Sequence, residues 1–447
     1  MRLFASSIVA LTVVATVTAQ NAGNVKQNYH LPMSIQVCSQ NGSCQYQNQA
    51  ITMDANWRWA HNIGGYDQCG KDTQYCPDEK TCAKNCALEG VEQNDWSNTY
   101  GVRPVSNGIE MQFVVGNNVG SRTYLLNGDN YYMFKLKNRE FSVDIDVSQL
   151  PCGVNGALYF VEMEEDGGLK HPGNKAGPKF GTGYCDAQCP HDIKWIQGEA
   201  NFGTYGSCCS EMDIWEANSF ANAYTPHTCQ TVGPKRCTGA ECGDGSDRNA
   251  GLCDKDGCDI NPFRVGLHDF YGPGSQYQID TTKPFTVATS FVTHDGTDSG
   301  DLSEIRRYFV QNGKKITIPN SSFQGLSGYK SDITDDYCAA ASAVFNGPNT
   351  FKSKGGMKQM GDSLGRGVVL VMSIWDDFTS HMLWLDSDAP LDADNTKPGV
   401  KRGPCSRDSG NPNDIRSRYG SATVKYYNVK VGPISNNSAE MEAQFLQ

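Results

Sequence analysis

The chain has 447 residues, 38% of them hydrophobic and 10% aromatic, with 47 glycines, 18 cysteines and a formal net charge of −11. That length can hold a large core, and large all-β folds run as one domain at this size. The acidic balance argues against nucleic acid and anionic membranes, which need clustered Lys and Arg, but leaves a neutral polysaccharide open as a partner.

Residues 1–19 read as a secretion leader. Arg2 supplies the charge, residues 3–17 a short apolar run, and Val17-Thr18-Ala19 a small-residue cleavage site. The mature chain, 20–447, is expected to be a single domain, with no linker or small Cys-rich binding module after it. No other segment reaches the roughly 18 apolar residues of a membrane helix. All 18 cysteines follow the leader, so nine disulfides are expected in an oxidising compartment. Cys82-x-x-x-Cys86 and Cys185-x-x-x-Cys189 have zinc-like spacing, but no His falls at ligand distance, and no metal or organic cofactor is expected. Asp254-Lys255-Asp256-Gly257 lacks the third ligand before Gly257 and the later Glu of a calcium loop.

Cys38 and Cys44 flank a turn and are expected to bridge each other. Asn41, Asn320 and Asn436 head glycosylation sequons. In Asp54-Ala55-Asn56-Trp57-Arg58-Trp59, a strand would put Trp57 and Trp59 on one face, as a core surface or as a stacking platform for pyranose rings. Four cysteines between Cys69 and Cys86 read as a disulfide knot with one short helix. Residues 109–115, 122–126, 131–136, 140–147 and 156–163 are β-rich runs separated by Gly, Asn and Pro turns, as in a sandwich or barrel. Asp144 and Asp146 alternate with apolar neighbours and read as solvated.

Glu211-Met212-Asp213-Ile214-Trp215-Glu216 follows Cys208-Cys209-Ser210. Glu211 and Asp213 share a strand face, while Glu216 is at odd spacing and would point away. One inserted residue near Ile214 or Trp215, a β-bulge, returns it to that face, and bulges recur beside active sites. Carboxyls crowded on one face push their pKa values apart, so one serves as nucleophile and one as acid, the glycosidase arrangement. Three acids in six residues would also suit a solvated strand. The adjacent Cys pair, if bridged on both sides, gives more rigidity than a solvated strand needs. Further strands are expected at 285–293, 305–311 and 367–374, and short helices at 335–345 and 354–364.

This acidic segment resembles the Glu-x-Asp-x-x-Glu motif of glycoside hydrolase family 7, the secreted cellobiohydrolases and endoglucanases of cellulose degradation. The resemblance covers essentially the whole mature chain. It implies an all-β fold: a concanavalin-like jelly-roll sandwich of two large antiparallel sheets, with few short helices and a long glycan groove. It makes Glu211 the nucleophile, Asp213 its tuner, Glu216 the acid/base and His227 an accessory. Trp57, Trp59 and Arg122 match the upstream substrate path, and Asn155 and Tyr159 match residues reaching the sugar near the nucleophile. Tyr184, Asp186 and Gln188 match the segment around the cleaved bond. Trp375 and Trp384 match stacking platforms, and Arg248, Asp256, Asp259 and Arg402 match the product side. The implied disulfides are Cys38–Cys44, Cys69–Cys86, Cys76–Cys82, Cys152–Cys405, Cys185–Cys209, Cys189–Cys208, Cys229–Cys253, Cys237–Cys242 and Cys258–Cys338.

Two departures from the family pattern stand out. Ala87 follows Cys86 where relatives often carry another Cys, and no early Cys is present to pair with one. Only 18 residues separate Cys189 from Cys208, too few for the loop that roofs the tunnel in longer relatives. The loop around Arg248 and the one before Arg402 favour a cellobiohydrolase acting from chain ends. The missing roof favours an endoglucanase. A non-catalytic glycan-binding jelly roll, or a disulfide-rich structural protein, leaves the acids or the tryptophans without a role. The expected partners are cellulose and cello-oligosaccharides, with the chain secreted and monomeric.

Overall fold

A computed structural model describes residues 20–40 and 42–434. The expected leader and the sequons at Asn41 and Asn436 lie outside the described residues; Asn320 is exposed. The main strands are β1 (Leu31–Cys38), β2 (Cys44–Met53), β3 (Ser121–Asn127), β4 (Arg139–Asp146), β5 (Val154–Val161) and β6 (Glu211–Ala217). They continue with β7 (Asn222–His227), β8 (Phe285–Thr293), β9 (Leu302–Gln311), β10 (Lys314–Thr317), β11 (Val368–Asp376) and β12 (Thr423–Pro433). The expected helices are α1 (Glu79–Asn85) in the disulfide knot, α2 (Asp335–Val344) and α3 (Gly356–Arg366). Thr334 caps α2 by accepting the Tyr337 N–H, and Asp335 and Asp336 suit its positive end.

The strands run in the order β7-β6-β5-β11-β3-β2-β1-β12-β4-β8-β9-β10. The two expected sheets are the two layers of this path, and they run into one another where β1 pairs parallel with β12 through Gln36 and Val37. Side chains from both layers meet between them. Phe160 of β5 lies 5.1 Å from Phe141 of β4, and Trp215 of β6 lies 5.6 Å from Phe285 of β8, measured between ring centroids. Rings from the two layers are thus in direct contact, as in a packed sandwich core.

Alternation then decides what the other face carries. Leu158 and Phe160 of β5, and Leu370, Met372 and Ile374 of β11, point into this core. Ala157, Tyr159 and Val161 on β5, Val369 and Val371 on β11, and Tyr124 and Leu126 on β3 form a separate cluster on the opposite side. The candidate site is built on that second face. Nine disulfides pair as the resemblance implies, leaving no free cysteine among the described residues and therefore no thiolate for a metal.

Candidate active site

The register around β6 contains the expected bulge. Against β5, Trp215 pairs with Leu158 and Asp213 with Tyr159, so Ile214 is the extra residue. Against β7, Asp213 pairs with Thr225 and Glu216 with Ala223, so three steps on β6 match two on β7. Glu211, Asp213 and Glu216 consequently stand opposite Val161, Tyr159 and Ala157, all on the second face. Without the insertion Glu216 would point into the core, and Trp215 would take the acidic face in its place. The five-residue spacing becomes a shared face because the ladder skips one residue.

The start of β6 is held by two disulfides, Cys189–Cys208 and Cys185–Cys209. Both tie it to residues 184–189. The Ala187 N–H, held in that segment, donates to Glu211 Oε2 at 3.0 Å. Tyr184 OH donates to Asp186 Oδ2 at 2.7 Å and lies 2.9 Å from Tyr159 OH. At the far end of β6, Asn155 Nδ2 donates to Glu216 Oε1 at 3.0 Å, and Asn155 Oδ1 accepts the Ala217 N–H. Between them, His227 Nε2 lies 3.1 Å from Asp213 Oδ2, and Nδ1 lies 2.9 Å from the Asp254 carbonyl. Gly257 wraps the other side of that ring, where a Cβ would come within 2.6 Å of His227 Cε1.

Burial and mutual repulsion set the proton affinities. Glu211 and Glu216 are each pushed well above the usual carboxylate range, first by burial and then by Asp213. Asp186 and, by less, Glu216 push Glu211 up further. Burial also raises Asp186, to about 6. Burial alone would lower His227, but its hydrogen bond to Asp213 overrides this and takes it up to about 9, so it is a cation at neutral pH. A proton-bearing carboxyl and an ionised one, on one buried face beside an aromatic floor, can protonate a leaving oxygen and attack the carbon it leaves.

The family model described as Glycosyl hydrolase family 7 matches residues 22–437. The chain belongs to glycosyl hydrolase family 7. The structure of a GH7 family cellobiohydrolase from Daphnia pulex is similar at 48% identity and a TM-score of 0.90, covering 93% of this chain and 99% of that one. A cellobiohydrolase from Melanocarpus albomyces complexed with cellotetraose is 40% identical, with a TM-score of 0.86 and coverage of 93% and 98%. The Humicola insolens endocellulase EGI is 35% identical, with a TM-score of 0.81 and coverage of 93% and 99%.

In this family 7 chain most of the expected path residues share the acidic face. Arg122 on β3, Asn155 on β5 and Trp375 on β11 are brought there by register, with Asn155 directly opposite Trp375. Asn155, matched to a residue that reaches the sugar near the nucleophile, bonds Glu216 and the Ala217 N–H at the far end of β6. Arg122 donates to Asp54 at 2.8 Å, and its guanidinium lies 3.3 Å from the Tyr184 ring centroid and 5.4 Å from that of Trp57. Trp375 and Trp384 are 6.3 Å apart at 31°, with Trp384 Nε1 held by Asp377.

The expected strand through Trp57 and Trp59 is a turn instead. The Asp54 side chain accepts the Asn56 N–H and the Asp54 carbonyl accepts the Trp57 N–H, curling the chain after β2. The indoles then diverge. Trp57 donates to the Gly120 carbonyl beside Arg122, whereas Trp59 lies tilted against His61 at 4.4 Å and stacks on Tyr66 at 6.1 Å. Asp144 and Asp146, expected to be solvated, are bonded to Thr286 and Lys425 on the other layer, away from the acids.

On the opposite side of the acids, Arg248 bonds Gln188 at 3.0 Å and pairs with Asp256 at 3.2 Å. Asp259 pairs with Arg264. Arg402 has a buried Nε without a partner, and burial together with Arg264 lowers it to about 9. The shortened stretch 190–207 forms a hairpin, Trp195–Ile196 against Glu199–Ala200, whose Trp195 and Ala200 pack with the cysteines of the α1 knot.

Several groups at the site escaped the sequence reading. Asp54 holds both Arg122 and the Tyr124 hydroxyl, and Arg264 neutralises Asp259. The one available hint was local: Tyr124 falls two residues after Arg122, hence on its face. The Ala187 N–H carries no side-chain signal at all.

Proposed function

We propose that this chain is a secreted, monomeric, retaining cellulase that hydrolyses β-1,4-glucosidic bonds, and that it works from reducing ends to release cellobiose. The observation that carries the reaction is the bulge at Ile214, which brings Glu211 and Glu216 onto one buried face. Glu211, steadied by the Ala187 N–H, attacks the anomeric carbon while Glu216 gives its proton to the leaving oxygen. Glu216 then takes a proton from the water that releases the glycosyl-enzyme. Asp213, paired with cationic His227, raises the proton affinity of Glu216 and so favours its protonated form. Trp57, Arg122, Trp375 and Trp384 would hold successive sugars by stacking and hydrogen bonds.

Azide tests the two roles with an aryl cellobioside carrying a good leaving group. Glu216→Ala should accumulate glycosyl-enzyme and be rescued by azide to give the β-azide. Glu211→Ala should give only the α-azide. Equal azide products from both variants, or activity unchanged in either, would reject the assignment.

Action from chain ends is supported by the positive groups on the product side, Arg248 and Arg402, and by likeness to the Daphnia pulex cellobiohydrolase. An endoglucanase is the second reading, favoured by the hairpin at 190–207 lying against the α1 knot instead of roofing the groove. Soluble against insoluble reducing ends, followed during cellulose digestion, separates them.

A further inference from the structure

Arg307 of β9 lies in the sandwich core, 3% exposed, and no carboxylate pairs with it among the described residues. Its Nη2 donates to the carbonyl of Ile214 and, at 3.0 Å, to Thr289 Oγ1. Its guanidinium carbon sits 4.1 Å from the ring centroid of Tyr224, and its Nε and Nη1 have no partner. Burial pulls its proton affinity down to about 9. An unpaired guanidinium in a core is a poor stabiliser, and an apolar residue of similar volume there is often neutral or better.

One of its two hydrogen bonds goes to the residue that matters most to the site. Ile214 is the inserted residue of the bulge, absent from the register on both the β5 and the β7 side. A bulge leaves its extra residue outside the ladder, so a buried carbonyl there needs a donor from elsewhere. Arg307 reaches across the core from the other layer to supply it. Without that donor, the carbonyl would regain a partner by sliding β6 one residue into regular pairing. Such a slip turns Glu216 away from Glu211.

We infer that Arg307 is a positioning residue for the hydrolysis: by binding the Ile214 carbonyl from below, it locks the bulge that keeps Glu216 beside Glu211. It touches no substrate. The inference rests on the assignment of Glu211 and Glu216 above.

The test uses the whole enzyme with Arg307→Met and Arg307→Lys, assayed on an aryl cellobioside. Active sites are counted by trapping with a 2-fluoro cellobioside, so kcat is expressed per folded site. Misplacement by about 1 Å costs on the order of 100-fold, so Arg307→Met should lose about that in kcat, with KM and inhibition by cellobiose changed by less than about twofold. Arg307→Lys, which keeps one donor, should recover about tenfold of the loss. Wild-type kcat per site in either variant overturns the inference. So does a loss of activity that only follows the loss of folded sites. Should Arg307→Met not fold, Arg307→Lys alone decides, through reduced kcat at unchanged KM. The azide experiment is run on chains that keep Arg307, so its failure would sink the acid and nucleophile roles without involving this residue.

Discussion

The charge on His227 governs how the acids of β6 share protons. Its imidazolium sits on Asp213 and lowers the proton affinity of Glu216, which burial and Asp213 raise. Replacing it with Gln removes that cation, so Glu216 should keep its proton to higher pH. The alkaline limb of kcat/KM is expected to move up, read from a pH profile on a soluble cellobioside. Stability carries a separate mark. The folded value of His227 is raised from 6.5 to about 9, so its contribution is fully present below about 6.5 and is lost as pH rises through about 9. The gap in Tm between the wild type and His227→Gln should therefore be widest at pH 6 and close by pH 9 to 10. A gap that widens with pH would contradict the buried cation.

At the scale of elements, β6 works because both of its ends are fixed. The Cys185–Cys209 bridge closes a 24-residue separation and holds the segment whose Ala187 N–H binds Glu211. The pair Cys185→Ser and Cys209→Ser should cost about 3 kcal/mol of stability by the loop-entropy argument, seen as a lower Tm. The same variant should lose kcat at a temperature where it is still folded, because a freed 184–189 segment no longer presents that N–H. Removal of Cys38–Cys44, which closes the β1–β2 turn far from the acids, is the control and should leave kcat unchanged. This element was largely legible in sequence. The odd spacing of Glu216 calls for a bulge near Ile214, and the bulge is at Ile214. The turn through Trp57 and Trp59 was not, because two indoles two residues apart look like a strand face whether or not Asp54 curls the chain.

For the whole molecule, the balance between an open groove and an enclosed path rests on loops. Residues 244–250 carry Arg248 over Gln188 and Asp256, while 190–207 turns back on the α1 knot. Deleting the tip of the first loop should raise the share of new reducing ends left on insoluble cellulose and lower the cellobiose released per cut. An unchanged partition would remove the loop from the account of end-wise action and strengthen the endoglucanase reading.

Sequence alone determined the strand periodicity and the acidic segment proposed for the chemistry, since alternation and the Glu-x-Asp-x-x-Glu spacing are local properties written in neighbouring side chains. Only the tertiary structure decided which carboxyl Asn155 serves, that Ala187 supports Glu211, and that Arg307 crosses the core to the Ile214 carbonyl. These contacts join residues from 24 to 93 positions apart, through backbone groups or buried side chains, and their partners are chosen by sheet register. Register is a property of the packed sandwich, not of any one stretch of chain.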